Sequence, residues 1–256
     1  MASPQNAMLV CGGRYHDFDF ARLELLALLG ESPEIRTRVF EDFGNTEALA
    51  ESDFLVSYTC DVRPEPAEQR ALADFVAGGG RWLALHGTNS ILHFNDEGVV
   101  ECPASHPLFV EVLGSQFLAH PPIAPYRVEN ARPEHPLVEG IEAFEVTDEL
   151  YLCRFEAEVE VLLETRFQGE TPGFDHADWP QDEARPVLYL RDYGEGQVLY
   201  NTLGHCRGRY DMRPLIDVYP RVERGAWEVP AYRELLRRGL HWAAHEASRD
   251  TPSPAA

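Results

Sequence analysis

Apolar positions along the first half of the chain follow two alternating rhythms. Short apolar stretches within residues 7–11, 36–40, 53–59 and 81–85 read as strands. Between them, residues 18–29 place Phe20, Leu23, Leu26 and Ala27 on one helical face, and residues 64–77 do the same with Leu72, Phe75 and Val76. The second of these helices has proline near its start and Gly78-Gly79-Gly80 as its stop. Buried strands alternating with amphipathic helices predict an α/β fold with a mostly parallel sheet covered on both faces.

The second half changes character. Residues 126–128, 159–166, 186–190 and 197–203 are strand-like, and Arg191-Asp192-Tyr193-Gly194-Glu195-Gly196 reads as a hairpin turn. These strands are expected as antiparallel additions to the sheet. Residues 232–246 close the chain as a helix with Leu235, Leu236, Leu240 and Ala243 roughly on one face. Residues 168–183 and 206–230 read as long loops of the kind that serve as lids. Both His-Pro-Leu tripeptides, at His106 and His135, read as turns followed by an apolar anchor. One domain over residues 7–248 with a disordered tail at 249–256 is the expected organisation.

Composition removes several function classes. All 22 basic residues are arginine, which excludes lysine Schiff-base chemistry and a phosphate-loop lysine. A net charge of −21 argues against nucleic acid and anionic membrane as partners. No apolar run approaches the roughly 20 residues of a membrane span, and the first apolar stretch is too short for a signal-peptide core. Five cysteines without a Cys-x-x-Cys pair read as reduced thiols in the cytoplasm.

In an open parallel sheet, ligands bind beyond the carboxyl ends of the strands. Tyr15, His16 and Asp17 follow the first strand, His86 and Asn89 the fourth, and His205 the run at 197–203. The turn at Leu85-His86-Gly87 has the shape of a nucleophile elbow, but it carries imidazole instead of a serine or cysteine nucleophile. Acid, base or ligand roles remain open to His86.

Six segments occur in one order: Gly12-Gly13-Arg14-Tyr15-His16-Asp17-Phe18; Gly78-Gly79-Gly80-Arg81-Trp82-Leu83-Ala84-Leu85-His86-Gly87; Leu113-Gly114-Ser115-Gln116-Phe117-Leu118-Ala119-His120; His135-Pro136-Leu137-Val138-Glu139-Gly140-Ile141; Thr147-Asp148-Glu149-Leu150-Tyr151; and Gly194-Glu195-Gly196-Gln197-Val198-Leu199-Tyr200-Asn201-Thr202-Leu203-Gly204-His205. Together they resemble the trehalose-utilisation (ThuA-like) family over roughly residues 8–246. The resemblance implies a flavodoxin-like, class I glutamine-amidotransferase-like sandwich. It also implies a role in the metabolism of trehalose or related disaccharides, including 3-keto sugars. Because His86 stands where an amidotransferase has its cysteine, no glutaminase activity is expected.

The same resemblance brings in His120, on a proline-stiffened loop, and the Asp148-Glu149 pair. The expectation is that His86, His120 and His205 line one pocket as catalytic groups, with Asp148 or Glu149 orienting one of them. Tyr15, His16, Asp17, Asn89 and Tyr151 are candidate substrate contacts; for His16-Asp17 helix capping is the alternative. A zinc shell from His86, His120, His205 and a carboxylate is an alternative that no short ligand spacing supports, so no cofactor is assigned. The expected partner is a small sugar, acted on by histidine and carboxylate acid–base chemistry. A non-catalytic sugar-binding protein and a metal-dependent hydrolase are the other readings, and homo-oligomerisation is left open.

Overall fold

A computed structural model describes residues 4–247; the expected tail at 249–256 lies outside the described residues. Its elements in chain order are β1 (Gln5–Gly13), α1 (Phe18–Leu29), β2 (Ile35–Phe40), α2 (Thr46–Ala50), β3 (Phe54–Cys60), α3 (Pro66–Ala77), β4 (Arg81–Leu85), β5 (His93–Phe94), β6 (Val100–Glu101), α4 (Pro107–Leu113), β7 (Ser115–Ala119), β8 (Ala124–Asn130), β9 (Phe144–Asp148), β10 (Leu152–Phe155), β11 (Glu160–Glu170), β12 (Asp178–Tyr193), β13 (Gly196–Asn201) and α5 (Pro230–Ala247).

The main sheet runs β2-β1-β3-β4-β13-β12-β11-β8-β9. From β2 to β13 every pairing is parallel, and from β13 outward every pairing is antiparallel. The parallel part has the 2-1-3-4-5 strand order of flavodoxin-like folds. Strand alternation builds two separate cores. In β1, Ala7, Leu9 and Cys11 pack toward α1 and α5, whereas Met8 and Val10 pack toward α2, α3 and α4. Strand β4 repeats the pattern, with Leu83 and Leu85 on the first face and Trp82 and Ala84 on the second. Each fully buried large side chain in these layers contributes about 1.5–3 kcal/mol relative to exposure. The expected three-layer α/β sandwich is the observed one.

Two readings of the second half change. Residues 168–183 are not a loop: most of them belong to the long hairpin of β11 and β12, paired from Glu160↔Leu190 to Glu170↔Asp178. Its outer part is mostly exposed and polar, with Phe167 and Trp179 as isolated aromatics, so it carries no regular apolar alternation. The His106-Pro107 segment starts α4, with proline at its first turn, and is not a simple turn. The 206–230 segment is a loop, tied across its base by the bridge between Arg207 and Glu223 and ending in a short 3-10 turn at Gly225–Glu228.

A second small sheet positions the site. Strands β7 and β10 are antiparallel, with Leu152 opposite Ala119. Their flanking residues, Tyr151 and His120, are thereby carried to the same end of this ribbon.

Candidate active site

Three parallel strands each deliver one histidine to the carboxyl edge. His16 follows β1, His86 follows β4 directly, and His205 follows β13. His86 has φ +47°, a conformation unusual for a residue with a side chain, so the elbow expected from the sequence is present and strained. Gly204, at φ +123°, turns the chain into His205; a Cβ there would sit 2.4 Å from the Tyr232 hydroxyl. The Gly204 carbonyl accepts hydrogen bonds from the Tyr58 hydroxyl and the Trp227 indole, both at 2.7 Å, which pin this turn to the core.

The imidazoles converge on Glu149, which follows β9. His16 Nε2 and His86 Nε2 stand 2.9 Å apart. They lie 3.6 and 3.4 Å from Glu149 Oε2. His205 Nδ1 is 3.1 Å and His120 Nε2 3.6 Å from Glu149 Oε1. One donor atom from each of His16, His86, Glu149 and His205 falls within 4.8 Å of the others, and all four residues are buried.

The far side of every ring is anchored to an acceptor. His86 Nδ1 donates to the Thr202 carbonyl at 2.8 Å, His120 Nδ1 to the Pro121 carbonyl at 2.8 Å, and His16 Nδ1 to the Arg14 carbonyl at 3.3 Å. His205 Nε2 donates to Glu223 Oε2 at 2.8 Å. Carbonyls and carboxylates only accept, so these contacts place a proton on the far nitrogen of every ring. Arg207 Nη2 and Nη1 donate to Glu149 and Glu223, each at 3.3 Å.

Burial and charge act in opposite directions here. Burial pushes His16 down to about 3 despite the carboxylate beside it. For His205 burial is outweighed by Glu149 and Glu223, which hold its pKa up at about 9. Burial works to raise Glu149, yet His205 and His120 keep its carboxyl well below the usual range.

Beside this cluster lies a cavity of about 110 Å³ whose polar wall includes His16, His120, Glu149, Tyr151 and Arg207. Tyr15, Phe94, Phe117 and Phe174 form its aromatic wall. His86 and His205 are buried at the back, whereas the His120 side chain is 23% exposed at the mouth. A larger groove of about 770 Å³, reached by Leu28, Ile35, Glu160 and Gln197, lies at the opposite, amino-terminal ends of β2, β11 and β13. It gathers no comparable cluster of convergent groups, and the carboxyl edge is where open α/β sheets bind ligands.

The residues singled out in the sequence separate into two groups. His86, His120, His205, Glu149, His16, Tyr15 and Tyr151 are brought together, with the Tyr151 hydroxyl 3.3 Å from His86 Nε2. Three others are placed elsewhere. Asp148 touches no imidazole; its carboxylate accepts from the backbone amides of Glu149, Gly204, His205 and Ala226 at 2.7–3.1 Å. Asn89 turns into the core and donates to Ser115 Oγ at 2.7 Å. Asp17 caps α1 through the Phe20 amide at 3.1 Å and pairs with Arg224. Sequence reasoning missed Glu223 and the central place of His16. The adjacency of His16 to the end of β1 was the available signal, and the capping reading of the His16-Asp17 pair obscured it.

Known proteins share this architecture. The family model described as trehalose utilisation, ThuA, matches residues 7–219, and the chain belongs to that family. Among solved structures, a ThuA-like protein from Bacteroides uniformis superposes with TM-score 0.65 at 18% identity, covering 95% of this chain and 93% of that one. A ThuA-like protein from Parabacteroides merdae gives 0.60 at 16% identity, covering 98% and 94%. A protein from Thermoplasma acidophilum described as part of a GMP synthase gives 0.51 at 10% identity, covering 97% and 98%. No curated protein matches the chain significantly. Among the described residues, no helix is long and apolar enough to cross a membrane.

Proposed function

We propose that the chain is an enzyme of disaccharide metabolism that moves a proton next to the carbonyl of an oxidised sugar, such as a 3-keto-disaccharide. The observation that carries this reading is the convergence of four anchored imidazoles on one buried carboxylate beside an aromatic-walled cavity. His120 is the base: its Nδ1 proton is committed to Pro121, so Nε2 presents a lone pair at the mouth. A C–H beside a ketone gives its proton to that nitrogen, and its electron pair passes into the enolate. Arg207 and the Tyr151 hydroxyl, on the same wall, stabilise the enolate oxygen. The enolate is then reprotonated or expels a group on the neighbouring carbon, which leaves with the proton held by His120. The aromatic wall suits the apolar face of a pyranose ring.

Thiol chemistry is not part of this reading. Cys60 borders the cavity, but burial holds its thiol well above the ordinary cysteine range, so little thiolate forms there. The five free cysteines, four of them buried, support a reducing cytoplasmic setting. The test is a turnover screen of 3-keto-disaccharides and their parent sugars, with His86→Ala as control. Turnover of a keto sugar that the variant abolishes is the expected result. Ammonia release from glutamine, lost in Cys60→Ser, would point instead to a retained glutaminase.

A further inference from the structure

The inward nitrogens of the cluster pose a problem that protein groups alone leave unsolved. With Arg14 and Thr202 each accepting a ring N–H, the inward Nε2 atoms of neutral His16 and His86 are lone pairs, and His205, whose Nε2 proton goes to Glu223, offers its inward Nδ1 as a third lone pair once a cation displaces the Nδ1 proton. These lone pairs face one another and a carboxylate. His16 Nε2 and His86 Nε2, 2.9 Å apart, are then two acceptors in contact. His205 Nδ1 is buried 3.1 Å from Glu149 Oε1, yet no group meets it with hydrogen-bond geometry. A buried polar atom without a partner is costly and calls for a missing group.

The Tyr151 hydroxyl can donate to His86 Nε2 and Arg207 donates to Glu149, each at 3.3 Å, but neither group can bind all three rings together. A metal ion can. Ligands bound to zinc at 2.0–2.2 Å in tetrahedral array are about 3.3 Å apart. The contacts of 2.9, 3.4 and 3.6 Å among His16, His86 and Glu149 bracket that spacing. The anchoring of each ring by an acceptor on its far nitrogen is also the arrangement that orients metal-binding histidines.

We propose that His16, His86, His205 and Glu149 hold one divalent transition-metal ion of the zinc class. Three imidazoles favour such an ion over magnesium or calcium, which prefer all-oxygen shells. His120 is outside the set: its ring stands at the mouth, and it is not among the residues whose donor atoms all lie within 4.8 Å of one another. With neutral imidazoles and one carboxylate the loaded centre carries +1, and His16 and Glu149 border the cavity, so the ion attracts an anionic or carbonyl oxygen bound there. This assignment deepens the function proposed above, yet it is tested without turnover.

The untagged full chain is stripped with chelator and then titrated with Zn²⁺ alone by calorimetry, with Co²⁺ absorption reporting the ligand field. One equivalent of metal and an intense visible Co²⁺ band are expected. His86→Gln and His16→Gln should each weaken Zn²⁺ binding by at least ~100-fold, Glu223→Ala by ~10–100-fold, and His120→Ala should change it little. Circular dichroism identifies any variant that fails to fold, and Glu223→Ala, at the partly exposed end of the relay, supplies the reading in that case. A folded wild-type chain that takes up less than a tenth of an equivalent overturns the proposal. So does undiminished binding in both His16→Gln and His86→Gln. Metal uptake without turnover of any keto sugar would refute the proposed reaction and leave the metal site standing; turnover by a wild-type chain that takes up no metal would do the reverse.

Discussion

The parallel and antiparallel parts of the molecule contribute to the site in different ways. The parallel strands β1, β4 and β13 each place a histidine at the carboxyl edge, so the position of the imidazole follows from strand direction. The antiparallel part supplies Glu149 at the end of β9, and the β7–β10 ribbon supplies His120 and Tyr151 through register. One half therefore provides a rigid row of ring nitrogens, and the other provides the charge that they surround and the group that meets solvent. Two adjacent residues at that junction show the division most clearly. Asp148 and Glu149 are both buried carboxylates, yet one holds backbone amides and the other faces imidazoles.

That contrast gives opposite expectations for neighbouring substitutions. Glu149→Gln should lower turnover by about two to four orders of magnitude while the fold persists, because its shape is kept and only its charge is lost. Steady-state kinetics on the sugar found in the screen checks this; turnover within a few-fold of wild type would remove Glu149 from the chemistry. Asp148→Ala should instead act on stability. It strips four backbone amides of their acceptor, and a buried charged group linked in this way is worth about 3–5 kcal/mol. At about 2–4 °C per kcal/mol for a chain of this size, the melting temperature should fall by roughly 6–20 °C. Equal melting temperatures for the Ala variant and wild type would contradict the assigned role.

A smaller effect separates His16 from its neighbour. Asp17→Ala removes the cap of α1 and the partly buried pairing with Arg224, so about 1–2 kcal/mol of stability should be lost. Its turnover should stay near normal. A large loss of turnover in Asp17→Ala would show that the loop between β1 and α1 is used in chemistry beyond His16.

Legibility in the sequence followed the same division. The parallel half was readable because unbroken apolar runs such as Met8-Leu9-Val10 and Trp82-Leu83-Ala84 can only be strands buried on both faces, and their ends point to His16, His86 and His205. Strand β9 carries no such run, and in β7 Phe117-Leu118-Ala119 comes only after the polar Ser115-Gln116. Ser115-Gln116 and the alternating Glu145-Val146-Thr147 look like turn or loop sequence, although they are ordered by pairing partners distant along the chain. The outer hairpin of β11 and β12 was hidden because its residues are mostly exposed and polar. Roles within the site were less legible than membership. Nothing in the local sequence distinguishes Asp148 from Glu149, and three of the four amides that claim Asp148 come from residues 204–226. Glu223 gave no signal in an arginine-rich loop until the bridge with Arg207 brought it to His205.

The central claim is that this cluster is one reacting centre whose exposed base is His120. Turnover of a 3-keto-disaccharide by wild type and by His120→Ala, with the melting temperature of each, tests it most directly. The account predicts measurable wild-type turnover, a loss of about two to four orders of magnitude in the variant, and a melting temperature changed by no more than about 2 °C, since a rim imidazole contributes little to the core. Near-normal turnover in a folded His120→Ala variant would contradict it.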